Sequence, residues 1–593
     1  MNNNPFVHDY FIGYINQVLP QYVKVHFPSS VLLKTFTIKG EQLNGGLVGN
    51  FVVIEGQKFG FLGKILELSL PEKERLHLSE QSFQNKEFHP TGKIEILLSF
   101  DLFEPTKIDK GLNSLPAIGA KVFVCTSEFI KTYFKGFGVK ESQKENAPLI
   151  DIGCLTYDKT AKVQISQQAI FGRHCAVVGT TGGGKSYTVS RLLEGVLQNK
   201  TKAILIDATG EYADQGKSAE AFKAAVLAED SFFHYTNLTV SDLFVLLRPS
   251  GQVQAPKLLE AIKSLKILRV LESKSDGNFI TKVNDNTYSI KITDTISETI
   301  SVRDDNIVKD GQLIRPFNRV YNTYIQEIES INANFNIKAL STQIVKECIY
   351  DVDRIAANKW GGKNDTHLNN CISLILRINN VINNPQFDSI FGFEKVKTGN
   401  GELIDQINAF LKSSDKCFLR IGFEKVGFDF QSREILANAI GQYLLEQARN
   451  GIFKKSPFIL FIDEAHQYLN KDVKDEYFEL TKLSSFDSIA KECRKFGLFL
   501  CIATQMPRDI PTGTLSQMGT FIVHRLINHF DKEAISNASS SASKNSLDFL
   551  PVLGSGEAIL MGVDFPMPLM LKIAMPKIVP DSETPLFVLQ EMK

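Results

Sequence analysis

The stretch His174–Leu197, HCAVVGTTGGGKSYTVSRLLEGVL, decides the fold. A short apolar run, Cys175–Val178, leads into a segment where Gly179, Gly182, Gly183 and Gly184 crowd beside Lys185 and Ser186. An amphipathic helical pattern follows from about Lys185 to Gln198. Glycines let the backbone take positive φ and curl its N–H groups inward. The helix behind them aims its free N–H groups and the positive end of its dipole at the same spot. Lys185 adds a mobile point charge for β- and γ-phosphates, and Ser186 a hydroxyl for Mg²⁺. The spacing Gly-x4-Gly-Lys-Ser is that of a phosphate-binding loop. Thr180 and Thr181 fall inside the cradle and Tyr187 just beyond it. A glycine-rich surface turn is the bland alternative, and the strand before and helix after argue against it.

Working outward, four more apolar runs read as buried parallel strands: AILIDA, FILFID, FLCIATQ and TFIVHRL. Strand–helix alternation of this kind implies an α/β layer with ligands at the carboxyl ends of its strands. Asp463 and Glu464 stand directly after FILFI. Adjacent acids there are hard to explain as packing, because buried carboxylates are costly without a partner. Asp463 suits the Mg²⁺ shell and Glu464 suits polarising an attacking water. Gln505, at the end of the next strand, is either a turn residue or a polar reach toward the γ-phosphate. Asp207 and Glu211 stand at the carboxyl end of the AILIDA strand, where they could join the nucleotide or bridge to a basic group on an adjacent subunit. Arg173 precedes the first strand, on the side away from its own phosphates, and Arg494 ends the helix before FLCIATQ. Each is a surface salt bridge or a cation for a neighbouring subunit's nucleotide.

Residues 1–155 read as β-rich. YVKVHF, LVGNFVVIEG, FGFLGKILEL, KIEILLSF and KVFVCT are short β-branched or aromatic runs punctuated by turns, the pattern of a small barrel suited to docking or oligomerisation. Between about 216 and 414 lies a mainly helical insertion, with ALSTQIVKECIYDVDRIAAN and NNCISLILRINNVINN as its helices and a strand-rich excursion near 270–310. Ser536–Asn545 is a polar low-complexity loop, and 576–593 a tail too short to fold alone.

The 593 residues carry 66 Lys+Arg and 66 Asp+Glu, a net charge of zero. No basic field announces nucleic acid, although a ring could concentrate a few cations per subunit around one channel. The eight cysteines form no C-x-x-C and no zinc spacing. Cys175, Cys417, Cys493 and Cys501 sit in apolar runs and read as reduced core residues of a cytoplasmic protein. The first residues lack a signal-peptide pattern, and no apolar stretch reaches the roughly 20 residues of a membrane span.

GRHCAVVGTTGGGKS, LIDATGEY, FIDEAH, AKECRKFGLFLCIATQMP and GSGEAILMGV occur in that order. Together they resemble the HerA family of FtsK/HerA hexameric DNA-translocating ATPases. The likeness is strong over 165–215 and 415–575, weak over 1–70 and thin over 215–415. It implies an α/β fold with a RecA-like P-loop core (156–215 and 415–575), the helical insertion (216–414) and an N-terminal β-barrel (1–155). It implies a homohexamer using ATP and Mg²⁺, double-stranded DNA in the channel, and an effector docked on the barrel. Carried over by residue, Lys185, Ser186, Asp463, Glu464 and Gln505 form the cis site, and Arg173 and Arg494 match arginines acting across the subunit interface. Gly183 stands where Ser is usual, Ala208 and Thr209 replace a Pro-His-like pair, and Asp463 stands where many members have Glu. Archaeal-type members work with the nuclease NurA. Bacterial members often sit beside sirtuin-like or nuclease effectors in antiviral systems, and the long insertion and the many Asn, Ser and Gln lean that way. The letters Asp-Glu-Ala-His at 463–466 also suggest a DEAH-box helicase, whose other motifs are missing from the sequence. An assembly scaffold whose nucleotide state switches on an effector needs the same ATP site as a motor.

Overall fold

The computed structural model describes residues 4–582 apart from 39–40, 72–87, 104–107, 110–113, 137–138, 140–145, 157–158, 160, 276, 395–399, 470–482, 540–546 and 566. Of the expected tail 576–593 the part beyond 582 lies outside the described residues, as does most of the Ser/Asn loop; Ser536–Ala538 ends a helix. The chain divides into two compact units. One comprises Met1–Ile204, Gly451–His466 and Ile489–Lys593, the other Leu205–Asn450 and Gln467–Ser488.

The first unit begins with a barrel. Strands β1 (Phe11–Val18), β2 (Val23–His26), β3 (Phe51–Ile54), β4 (Phe59–Ser69), β5 (Thr91–Asp101) and β6 (Lys121–Val124) pair antiparallel in the order β2-β1-β6-β3-β4-β5, and β5 pairs back to β2. Closure leaves no exposed edge among these strands. Inward residues such as Ile12, Val25, Val52, Phe61, Ile65, Ile94 and Val122 form the core. β4 and β5 are long enough to bend around it because register shifts interrupt their pairing at Leu62/Gly63 and Ile65/Glu67. The sequence reading missed β1, whose alternation is blurred by Gly13 and by a shift between Ile15 and Gln17.

The barrel is followed by β7 (Leu149–Leu155), β8 (Lys162–Ser166), β9 (Cys175–Val178), helix α1 (Lys185–Gln198) and β10 (Lys202–Asp207), inside which the division between units falls. After the long excursion come β11 (Phe458–Ile462), β12 (Leu498–Thr504), β13 (Thr520–Val523), α2 (His529–Ala538), β14 (Glu557–Gly562) and β15 (Leu569–Ile573). The sheet runs β8-β7-β15-β14-β13-β9-β12-β11-β10. β9, β11, β12 and β13 are parallel and almost wholly buried, so they read as unbroken apolar runs. β14, β15, β7 and β8 continue antiparallel. The architecture is thus a mixed α/β sheet around a P-loop, preceded by a small barrel. Leu149–Leu155, grouped by sequence with the barrel, pairs with β15. Its alternating Ile150 and Ile152 fit either sheet.

The second unit holds helices Gly251–Ser273, Leu340–Glu347, Asp365–Ile382 and Ser432–Arg449, with a four-stranded antiparallel sheet over Ile280–Asn284, Thr287–Lys291, Ser297–Arg303 and Asn306–Val308. That sheet is the strand-rich excursion, and Asn284 Oδ1 accepts from Asn286 N in its first turn. The helix expected over 339–358 stops at Glu347. Beyond it Tyr350 N bonds Gly362 O, and the Asp353 carboxylate accepts from the backbone of Ile355 and Ala356, so the chain turns.

One buried polar group ties this unit together. Glu347, 1 % exposed, accepts from Ser264 Oγ (2.6 Å), Lys309 Nζ (2.6 Å) and Gln343 Nε2 (2.8 Å). Lys309 also lies over the Phe317 ring at 4.4 Å. Removing one partner of such a pair leaves a buried charge uncompensated. Glu347→Ala should cost about 3–5 kcal/mol, and Glu347→Leu combined with Lys309→Met much less. Hydrogen exchange in the Gly251–Ser273 helix under increasing denaturant measures this.

Candidate nucleotide site

Gly179 follows β9, and the loop Thr180–Gly184 carries the chain into α1. Gly182 and Gly184 take left-handed backbone, φ 73° and 107°. Gly184 is the N-cap of α1, and no side chain caps that helix end, so its N–H groups stay open to an anion. Thr180 N and Oγ1 both donate to Arg525 O, at 3.1 and 3.2 Å. Ser186 and Tyr187 lie half-buried in the first turn of α1.

β11 and β12 deliver the acids and the amide. Asp463 and Glu464 follow β11 and are 1 % and 4 % exposed. Glu464 adopts φ 45°, a left-handed conformation that strains a residue bearing a Cβ. Its Oε1 accepts from Lys185 Nζ at 2.8 Å and from Gln505 Nε2 at 2.6 Å. Gln505 Oε1 in turn accepts from Thr181 Oγ1 at 2.5 Å. Thr181, Lys185, Glu464 and Gln505 therefore form one hydrogen-bonded chain. Glu464 Oε2 is buried and receives no hydrogen bond. His466 Nδ1 lies 3.3 Å from it, on an imidazole whose pKa burial lowers, and 3.3 Å from Thr504 Oγ1. An uncapped helix end, a buried ammonium and a carboxylate oxygen with spare accepting capacity make a donor set that fits a polyphosphate with its metal.

Two buried histidines flank this part of the sheet, and the sequence reading passed over both. His174, before β9, is 1 % exposed; its Nε2 lies 3.1 Å from Ala490 O and its Nδ1 accepts from Leu500 N at 2.9 Å. His524, just past β13, is fully buried beneath the phosphate loop. Burial holds both rings down to about 4.

Arg173 and Arg494 lie away from this chain of groups. Arg173 is at the amino end of β9, where its carbonyl accepts from Gly519 N at 2.7 Å. Arg494 sits in the single turn Cys493–Phe496 before β12. Both line one cleft of about 220 Å³, with Ser516, Gln517 and Ser539. Arg173 Nε meets Asp564 Oδ2 at 3.2 Å. That the two arginines share a cleft was invisible in sequence, since 320 intervening positions hide it.

Asp207 and Glu211 belong to the second unit. Asp207 is fully buried; Oδ1 accepts from Thr209 N and Gly210 N, and Oδ2 from Tyr212 N and from Arg420 Nε at 2.7 Å. Gly210 has φ 93° and Tyr212 is fully buried. Within this unit the acid shapes its own turn and neutralises Arg420.

Two family profiles match: the central domain of helicase HerA over residues 150–358 and the HerA-like C-terminal domain over 444–582. The chain belongs to the HerA helicase family. This HerA-family chain is accordingly a helicase-type ATPase. It is 22% identical to a probable helicase of Methanocaldococcus jannaschii over 93% of its length and 85% of the relative's. It is 25% identical to the DNA double-strand break repair helicase HerA of Saccharolobus solfataricus, over 72% of this chain and 68% of that one. The DNA double-strand break repair helicase HerA of Sulfolobus acidocaldarius is 24% identical, over 77% and 73% respectively. Among the described residues no helix is long and apolar enough to cross a membrane.

The depressed histidines make stability pH-dependent. Between pH 6.5 and about 4 the unfolded chain binds a proton on His174 that the folded chain refuses. Stability is therefore present above the unfolded pKa and falls with acidification, by about 1.4 kcal/mol per pH unit for each such group. Denaturant titrations from pH 7 to 4.5 should show this slope, and His174→Asn should remove one histidine's share of it while that of His524 stays.

Proposed function

We propose that this HerA-family chain is an ATP- and Mg²⁺-dependent motor that works as a homohexameric ring on double-stranded DNA. In this reading it feeds DNA to a nuclease or other effector docked on the N-terminal barrel, in DNA end processing or antiviral defence. The hydrogen-bonded chain Thr181–Gln505–Glu464–Lys185 is the observation that carries it. Bound ATP with Mg²⁺ would supply the phosphoanhydride and the charge neutralisation for its hydrolysis. Lys185 exchanges Glu464 for phosphate oxygens. Glu464, released from the ammonium and still held by Gln505, takes up the polarisation of water. Ser186 and Asp463 would hold the metal, and the cradle Gly179–Gly184 would hold the phosphates.

The likeness to helicases of DNA double-strand break repair favours end processing over the antiviral role. With zero net charge, DNA affinity comes from a few cations repeated around the ring. Binding should then weaken steeply with salt and require the oligomer.

Glu464→Gln should retain ATP and lose turnover by about 10²–10⁴-fold, whereas Lys185→Ala should lose tight binding. Steady-state ATPase and nucleotide binding, with and without duplex DNA, measure both. DNA stimulation of ATPase in the isolated protein supports the motor; turnover indifferent to DNA supports a scaffold.

Arg173 and Arg494 stand at the cleft remote from their own phosphates, so the ring reading gives them to the next subunit. A cation supplied in trans typically accelerates hydrolysis by about 10³ to 10⁵. Mixing Arg173→Ala or Arg494→Ala subunits with Lys185→Ala subunits should therefore restore partial ATPase that neither mutant shows alone. Mixed rings without recovered activity would return both arginines to a structural role.

A further inference from the structure

His524 and the turn Gly554–Glu557 have no part in the chemistry above, yet they touch the phosphate loop from behind. Gly556 N donates to Gly183 O at 3.1 Å, and Ser555 Oγ lies 3.5 Å from Gly182 O. A Cβ on Gly184 would come within 2.9 Å of Gly556 Cα. Lys572 Nζ holds the turn from its far side by donating to Ser555 O.

The turn itself is anchored by His524. Its Nδ1 lies 2.8 Å from Glu557 O. A carbonyl only accepts, so Nδ1 carries the hydrogen. In the neutral ring Nε2 is then an acceptor, and Thr188 Oγ1, 2.8 Å away on α1, is its donor. The loop also fits closely over the ring: a Cβ on Gly179 would come within 2.5 Å of His524 Cβ. One imidazole thus joins β13, the second turn of α1, the start of the phosphate loop and the Gly554–Glu557 turn.

Across a planar trans peptide the C=O and the following N–H point in opposite directions. Fixing the Gly183 carbonyl on Gly556 therefore fixes the direction of the Gly184 N–H, away from the turn and toward the mouth of the cradle. We propose that His524, acting through the Gly554–Glu557 turn, is a positioning residue that holds the phosphate loop in its anion-binding conformation. The inference rests on reading that loop as a nucleotide site. Four glycines within six residues leave the free loop many conformations. Without the turn behind it, only a fraction of molecules present an organised cradle, and apparent affinity falls by that fraction. The loss is common to ground state and transition state, so it enters KM rather than kcat.

The test uses the full chain, with binding of the fluorescent nucleotide mant-ADP in the presence of Mg²⁺ and ATPase kinetics read together. His524→Ala removes both ring contacts; His524→Asn keeps an N–H for Glu557 O; Thr188→Val removes the donor to Nε2 together with the 3.2 Å contact of Thr188 Oγ1 with Gly184 O. Mant-ADP affinity should fall about tenfold or more in His524→Ala, with KM for ATP rising in parallel and kcat nearly unchanged. His524→Asn should recover most of the affinity. If His524→Ala does not fold, the Asn and Val variants carry the comparison. Unchanged mant-ADP affinity with a lowered melting temperature of the nucleotide-free protein would overturn the proposal and leave His524 a packing residue. Lys185→Ala run alongside separates the two readings. If it too binds like the parent protein, the nucleotide reading fails; if it alone loses binding, only the positioning role does.

Discussion

A lysine and a glutamate 279 positions apart, 6 % and 5 % exposed in their side chains, meet at 2.8 Å where α1 begins and β11 ends. Burying two charges is expensive, and their attraction offsets the cost only when geometry is held and the remaining polar atoms are satisfied. The parallel order β9-β12-β11 supplies the geometry, because it brings the loop after β9 and the acids after β11 to the same edge of the sheet. Gln505, after the strand between them, supplies the second hydrogen bond to Glu464. The pair is also replaceable. In the proposed function a phosphate, an anion like the Glu464 carboxylate, would take its place beside Lys185.

The strain sits at the matching place. Glu464 is held at φ 45°, a conformation usually left to glycine or asparagine. Such outliers persist only where the surroundings over-determine them. Here the buried strand before it, the ammonium and amide on Oε1, and the His466 ring beside Oε2 do so. The two ends of β9 are chemically opposed. Its carboxyl end opens on the glycine loop, while its amino end carries Arg173 into a polar cleft shared with Arg494. The Arg173–Asp564 contact there is partly exposed, with Arg173 at 36%. A partly exposed ion pair of this kind contributes little to stability.

An acid at a strand end can equally be an element of folding. Asp207 takes three backbone N–H groups and a guanidinium, and the Gly210–Tyr212 turn closes around it. Asp207 is the last residue of a buried strand and Asp463 the first residue after one, and the strand-end rule alone does not separate them. What separates them is the neighbouring residue: the turn after Asp207 folds back onto the carboxylate, while Asp463 leads into Glu464 and the Lys185 pair.

Much was legible in the sequence because it depends on local spacing. The glycine loop, α1 over Lys185–Gln198 and the buried parallel strands follow from backbone freedom, helical period and unbroken apolar runs. The barrel was legible as a class but not strand by strand, since β1 carries a glycine and a register shift that blur its alternation. The helix over 339–358 was overestimated, because its apolar spacing continues past Glu347 while its backbone is captured by Gly362 and Asp353. Order along the chain identified the candidate site, including Lys185, Glu464 and Gln505. Only tertiary structure decided that Thr181 joins them, that Arg173 and Arg494 share a cleft, that Asp207 serves its own turn, and that His524 and Gly556 stand behind the loop. The reason is physical: periodicity and spacing report contacts within a few residues, whereas these depend on which strands lie side by side. That order is settled by packing over the whole sheet.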